Sequence, residues 1–65
     1  MILTFNGQPY DTAASTVAQL LEEKGIAADG TAVAVADQVV PRSQWETTPL
    51  TEGATVEILT AVQGG

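Results

Sequence analysis

Only one stretch of this chain has the apolar spacing of a helix; the other apolar stretches read as strand or turn. In STVAQLLEEKG, Val17, Leu20, Leu21 and Lys24 fall at i, i+3, i+4 and i+7. Three apolar side chains then share one stripe, and the Lys stem can extend it. Thr16 followed three residues later by Gln19 fits a capping box, with Ser15 as an alternative N-cap one residue earlier. Gly25 sits where a left-handed C-cap belongs. A lone amphipathic helix has no second helix to cover its stripe. It must lie across a sheet, and the rest of the chain must supply that sheet.

The remaining segments do so. ILTFNGQPY opens with a β-rich run, then Asn6-Gly7, then a second short run. Asn-Gly between strands signals a hairpin, because a type I′ turn needs positive φ at both central residues. Leu3 and Phe5 share the inward face and Thr4 takes the other. Pro9 cannot donate to a ladder, so the second strand should be short or at an edge. Thr31 to Ala36 alternates small and β-branched residues, with Val33 and Val35 on one face. Asp37-Gln38 is expected to turn the chain, and Val39-Val40 lead out to Pro41. RSQW reads as a single tight turn. Glu52-Gly53 signals another turn, before a strand of about eight residues, TVEILTAV. There Val56 and Ile58 should face the helix, with Leu59 on the opposite face. The expected class is α+β, a mixed sheet of about four to five strands with one main helix across one face. The other face is uncovered. An exposed leucine alone is ordinary, but neighbours that extend it into a patch mark a contact site.

Sixty-five residues make one domain, and a chain of this size buries only about 60% of its unfolded surface. An apolar content of 45%, with three aromatics (Phe5, Tyr10 and Trp45), suffices for a small core and argues against disorder. No apolar run approaches the roughly 20 residues that span a bilayer, and the N-terminus lacks the basic region of a signal peptide. Cysteine and histidine are both absent. Zinc-type sites, thiol nucleophiles, imidazole bases and Ser-His triads are therefore excluded. One Lys, one Arg, eight carboxylates, hydroxyls and the chain termini remain. No active site and no metal site of the chain's own are expected. Glu22-Glu23 reads as a solvated helix face, because adjacent helical residues diverge.

The net charge is −6, and Lys24 and Arg42 are the only cations. Nucleic acid and anionic membrane are both unsuitable partners, since each is bound through several Lys or Arg. The charge suits a partner with a basic surface, and equally suits solubility alone. Arg42 reads as a surface residue with its stem beside Trp45, which caps the core; bidentate pairing with a partner's acidic group is the alternative. Lys24 complements the dipole at the helix C-terminus.

The order ββαββ, closing on a strand that runs into Gly64-Gly65, resembles the ubiquitin-like β-grasp fold. More narrowly, the chain resembles the ThiS family, the sulfur carriers of thiamine (thiazole) biosynthesis. The matching segments run nearly end to end: FNGQPY, TVAQLLEEKG, VAVADQVVPRSQW and TPLTEGATVEILTAVQGG. Two positions depart from the family pattern, Asp37 where Asn is usual and Gln63 where a third Gly is common.

The resemblance implies a single β-grasp domain over residues 1–65, with 63–65 as a flexible tail, in a bacterial cytoplasm. It implies that the Gly65 carboxylate is adenylated by a partner, an adenylating (E1-like) enzyme that uses ATP and Mg²⁺; the chain itself binds no cofactor. Sulfur from a donor such as a cysteine desulfurase system would then displace AMP to give a thiocarboxylate, and thiazole synthase would take up that sulfur. Glycine suits the tail because a backbone without Cβ passes through a narrow channel and approaches a ligand closely. Gly64 would thread the tail. Ordering it costs on the order of 1–2 kcal/mol per residue, which contacts on the folded domain must offset. Leu59 is the main candidate for such contacts, with Ala61 and Val62 at the strand's exit. Two other readings stay open: a sulfur carrier or modifier for another pathway (molybdopterin, tRNA thiolation, protein conjugation), and a β-grasp interaction module with an inert tail.

Overall fold

The computed structural model describes residues 1–60. Ala61, Val62, Gln63, Gly64 and Gly65 lie outside the described residues, and with them the last two positions of the expected eight-residue strand and the expected tail. Five strands form one sheet: β1 (Ile2–Phe5), β2 (Gln8–Asp11), β3 (Thr31–Val35), β4 (Gln38–Val40) and β5 (Thr55–Thr60). A single helix, α1 (Val17–Lys24), and a 3-10 turn over Arg42–Gln44 complete the described elements. The strand order is β2-β1-β5-β3-β4, with β1 and β5 parallel and the other pairs antiparallel. This is the β-grasp architecture that the segment order led us to expect. β2, with Pro9, is an edge strand, and β5, the last strand among the described residues, runs down the middle of the sheet.

Helix α1 forms where its stripe and caps agree. Val17, Leu20 and Leu21 are buried. The Thr16 hydroxyl accepts from the Gln19 amide, and Gly25 closes the helix at φ 71°, ψ 29°. The reciprocal half of the capping box falls one residue early, since Gln19 Oε1 accepts from the Ser15 N–H at 2.8 Å. The segment after the 3-10 turn satisfies the other free amides: Val17 donates to Thr48 O and Ala18 to Trp45 O. Leu3, Val33, Val56 and Ile58 come up from the sheet to meet the helix stripe, and Trp45 and Leu50 close the flanks. Trp45 caps this core as expected, 5% exposed, with its indole N–H donating to Val40 O at 2.9 Å.

The second hairpin corrects the expected turn. Val35 pairs with Gln38, so the two loop residues are Ala36 and Asp37, one position earlier than Asp37-Gln38. Both take positive φ, 52° and 66°, as Asn6 and Gly7 do in the first hairpin at 49° and 82°. A two-residue loop needs this geometry at both positions to match strand twist, whatever residues occupy them. Alanine carries no turn signal, which is why the sequence points to the wrong pair.

Candidate functional site

The face of the sheet opposite α1 has no cover among the described residues. Its centre is β5, whose side chains alternate: Val56 and Ile58 are buried, Glu57 and Leu59 exposed. Leu59 is 74% exposed, as the alternation demands. It does not stand alone. Ala32 is its register partner on β3, while Ala34 sits beside Glu57 and also beside Val39 on β4, which is 78% exposed. Together these residues line an open groove of about 420 Å³, with Asn6 at one end. Leu59 therefore belongs to a patch, and the patch borders the strand that leads into residues 61–65. Gly64, Gly65, Ala61 and Val62, the other expected site residues, lie outside the described residues.

Both cations lie away from this face. The Lys24 ammonium rests over the Phe5 and Tyr10 rings, 4.6 and 4.4 Å from their centroids. Arg42 pairs with Asp29 of the same chain at 3.0 Å, in an exposed ion pair. It lines a second shallow groove with Trp45, in keeping with its reading as a surface residue. The groove on the open face thus carries Glu57 and neither Lys24 nor Arg42, with an apolar floor.

Glu22 and Glu23 are both exposed, as expected of a solvated helix face. Glu23 also accepts from the Tyr10 hydroxyl and from the Thr12 hydroxyl, the latter 2.8 Å from Oε2. The hydrogen bonds from Tyr10 and then Thr12 hold the Glu23 carboxyl below its ordinary value. The bond to Glu23 in turn pushes the Tyr10 phenol up. Thr12 is buried and also accepts from the Ala14 N–H at 2.9 Å. This cluster ties edge strand β2 to the helix. No sequence spacing links residues 10, 12 and 23, so only tertiary structure reveals it.

Asn6 also does more than its turn explains. Its carboxamide nitrogen donates to Ile58 O at 3.2 Å, and its Oδ1 accepts from Ile58 N–H at 2.7 Å. The hairpin rule accounts for Asn6 fully at the level of sequence, which hides this second role. Among the described residues, no group of three or more carboxylates could hold a metal ion. The N-terminal amides of α1 are occupied by protein groups, so they offer no phosphate cradle. No described helix is long and apolar enough to cross a membrane. The arrangement can dock a protein on its apolar floor.

Known proteins fit this picture. The model of the ThiS family matches residues 3–65. The chain is 35% identical over 66 aligned positions to the sulfur carrier protein ThiS of Escherichia coli, covering all of both chains. It is similar to the crystal structure of the thiamine biosynthesis protein (ThiS) from Geobacter metallireducens, with TM-score 0.85, 30% identity and full coverage of both chains. A solution structure of a thiamine biosynthesis protein from the same organism gives TM-score 0.82 and 33% identity, with all of this chain and 88% of that one covered.

Proposed function

This chain belongs to the ThiS family, the sulfur carriers of thiamine biosynthesis, and on that premise we propose that Gly65 is its working residue. The observation that carries the reading is the end-to-end match to a sulfur carrier, through Gly65, in a chain with no Cys or His of its own. The α-carboxylate of Gly65 is ionised at neutral pH, with a reference pKa of about 3.3–3.7, and has no leaving group. Activation must come from outside. In this proposal a partner enzyme holds ATP with Mg²⁺, and a Gly65 carboxylate oxygen attacks the α-phosphorus and expels pyrophosphate. A persulfide sulfur from a donor such as a cysteine desulfurase system then attacks the acyl carbon, and AMP leaves. Thiol cleavage of the remaining S–S bond gives the thiocarboxylate and a disulfide. Thiazole synthase takes the sulfur onward.

The open face supplies the docking that this chemistry needs. Leu59, Val39 and Ala32 form its apolar floor, and Glu57 adds a negative charge. A partner that sets an apolar side chain on this floor and a Lys or Arg against Glu57 is complementary in shape and sign. Ala61 and Val62 would continue that contact toward the tail, with Gly64 threading the channel.

The test is intact-protein mass spectrometry after incubation with the adenylating enzyme, ATP and a sulfur donor. The expected result is exchange of one oxygen for sulfur, mapped to Gly65. An unchanged mass with active partner enzymes would sink the proposal and leave an interaction module with an inert tail. Addition of thiazole synthase then distinguishes thiazole formation from another sulfur pathway.

A further inference from the structure

We propose that Asn6 is a positioning residue for docking to the adenylating enzyme, acting through Ile58 to hold the part of β5 that carries Leu59. The inference rests on the carrier reading above. β1 pairs with β5 through only two registered positions, Thr4 with Thr55 and Phe5 with Val56. After Phe5 the backbone reverses at Asn6-Gly7 and can no longer run alongside β5. The Asn6 N–H donates to Val56 O at 2.9 Å, the last backbone bond described from β1's end to β5. The next position of β5 on that side is Ile58. There the Asn6 carboxamide substitutes for a missing stretch of strand, donating to Ile58 O and accepting from Ile58 N–H.

A carboxamide is suited to this because it carries a donor and an acceptor, as a peptide group does. Asn6 also sits at φ 49°, a conformation in which Asn is enriched. Gly satisfies the turn and lacks the clamp. Asp satisfies the turn and keeps the acceptor but cannot donate to Ile58 O when ionised. On its other side β5 is paired with β3 out to Thr60, which is opposite Thr31. Ile58 is thus held from both sides, while among the described residues Thr60 has a partner strand on one side only. The clamp thereby fixes the backbone of β5 next to Leu59, on the strand whose outer side faces the groove.

Loss of the clamp loosens β5 beside Leu59, and docking must then order it. The experiment compares wild type, Asn6→Gly and Asn6→Asp in adenylation by the partner enzyme, read as ATP–pyrophosphate exchange against carrier concentration. Amide exchange at Ile58 is measured in parallel. Gly25→Ala, which strains the helix C-cap at φ 71° and lies outside the sheet, is the stability control. Asn6→Gly is expected to free the Ile58 amide to exchange and to raise KM for the carrier about tenfold, the scale of one residue's backbone ordering, with kcat within about twofold. Asn6→Asp should keep the Ile58 amide protected and give a smaller rise in KM. Gly25→Ala should lower Tm and leave KM unchanged. An unchanged KM in Asn6→Gly despite free exchange at Ile58 would overturn the proposal and leave Asn6 a sheet fastener. A protected Ile58 amide in Asn6→Gly would overturn it too. A wild-type chain that supports no exchange reaction at all would instead overturn the carrier reading, and the two failures are distinct.

Discussion

Ile58 and Leu59 are neighbours in the chain and similar in size, yet one is 7% exposed and the other 74%. The difference is which face of the sheet each side chain meets. Ile58 points to α1 and joins a core made by residues from every part of the sequence. Leu59 points to the open face, beside Ala32 and Val39, where nothing among the described residues covers it. One strand thus separates the two tasks of the molecule. Its inner face holds the fold together, and its outer face is left available for a partner. The comparison predicts that truncations on the two faces fail in different ways.

The largest effect belongs to the inner face. Leu20→Ala, in the helix stripe opposite Ile58's side of the sheet, should cost about 2–5 kcal/mol, the usual range for a buried leucine. A domain of this size has little more stability than that, so chemical denaturation should find much of the variant unfolded without denaturant. A loss below about 1 kcal/mol would mean that the helix–sheet core is not the main source of stability.

Leu59→Ala should behave in the opposite sense. Its denaturation midpoint should correspond to a stability within about 0.5 kcal/mol of wild type, as for an exposed side chain. Its affinity for the adenylating enzyme should fall roughly tenfold or more, because burial of a leucine against a partner contributes about 1.5–3 kcal/mol. Titration by calorimetry checks both partners of the comparison at once. Equal affinity of wild type and variant would remove the open face from the docking surface.

Much of this division is legible in the sequence because it follows from local periodicity. A repeat of 3.6 places Val17, Leu20 and Leu21 on one stripe, and a repeat of two sends Val56 and Ile58 one way and Leu59 the other. Asn6-Gly7 and Gly25 are equally plain, since each marks a backbone conformation that few residues accept. What escapes is whatever depends on partners distant in the chain. The Asn6 clamp on Ile58 spans 52 positions, and the Glu23 contacts to Tyr10 and Thr12 have no spacing rule. Ala36 escapes for another reason. Strand register forced it into a turn, and its own propensity argues against that conformation.

That misfit at Ala36 gives a smaller prediction. The turn fixes the register that puts Val39 beside Ala34 on the open face. Alanine at φ 52° is strained, and Ala36→Asn should relieve part of that strain. The expected gain is about 0.5–1 kcal/mol, read as a Tm higher by a few degrees, with docking unchanged. A lower Tm would show that the turn is held by contacts other than its backbone preference.

The smallest effect concerns the polar seam at the edge of the covered face, where Glu23 joins the helix to Tyr10 and Thr12. The Glu23 carboxyl titrates lower in the folded chain than in the unfolded one, because Tyr10 and Thr12 donate to its ionised form. The unfolded chain therefore holds more protons through that range, and stability rises with pH across it. The contribution is present above the ordinary carboxylate range and is lost as pH falls through the folded value. Tyr10 runs the other way at high pH. Its phenol stays protonated longer in the folded chain, so its share is present below about pH 10 and is lost as pH rises through the raised value. Wild type should thus melt above Glu23→Gln near neutral pH, and the gap should close at both extremes, more through loss in wild type than through change in the variant. Melting curves collected across pH on both proteins test this. A gap that stays constant would assign the seam's effect to packing rather than to ionised hydrogen bonds. Binding to the adenylating enzyme should be the same for both, because Glu23 lies on the helix side, away from the groove that contains Leu59.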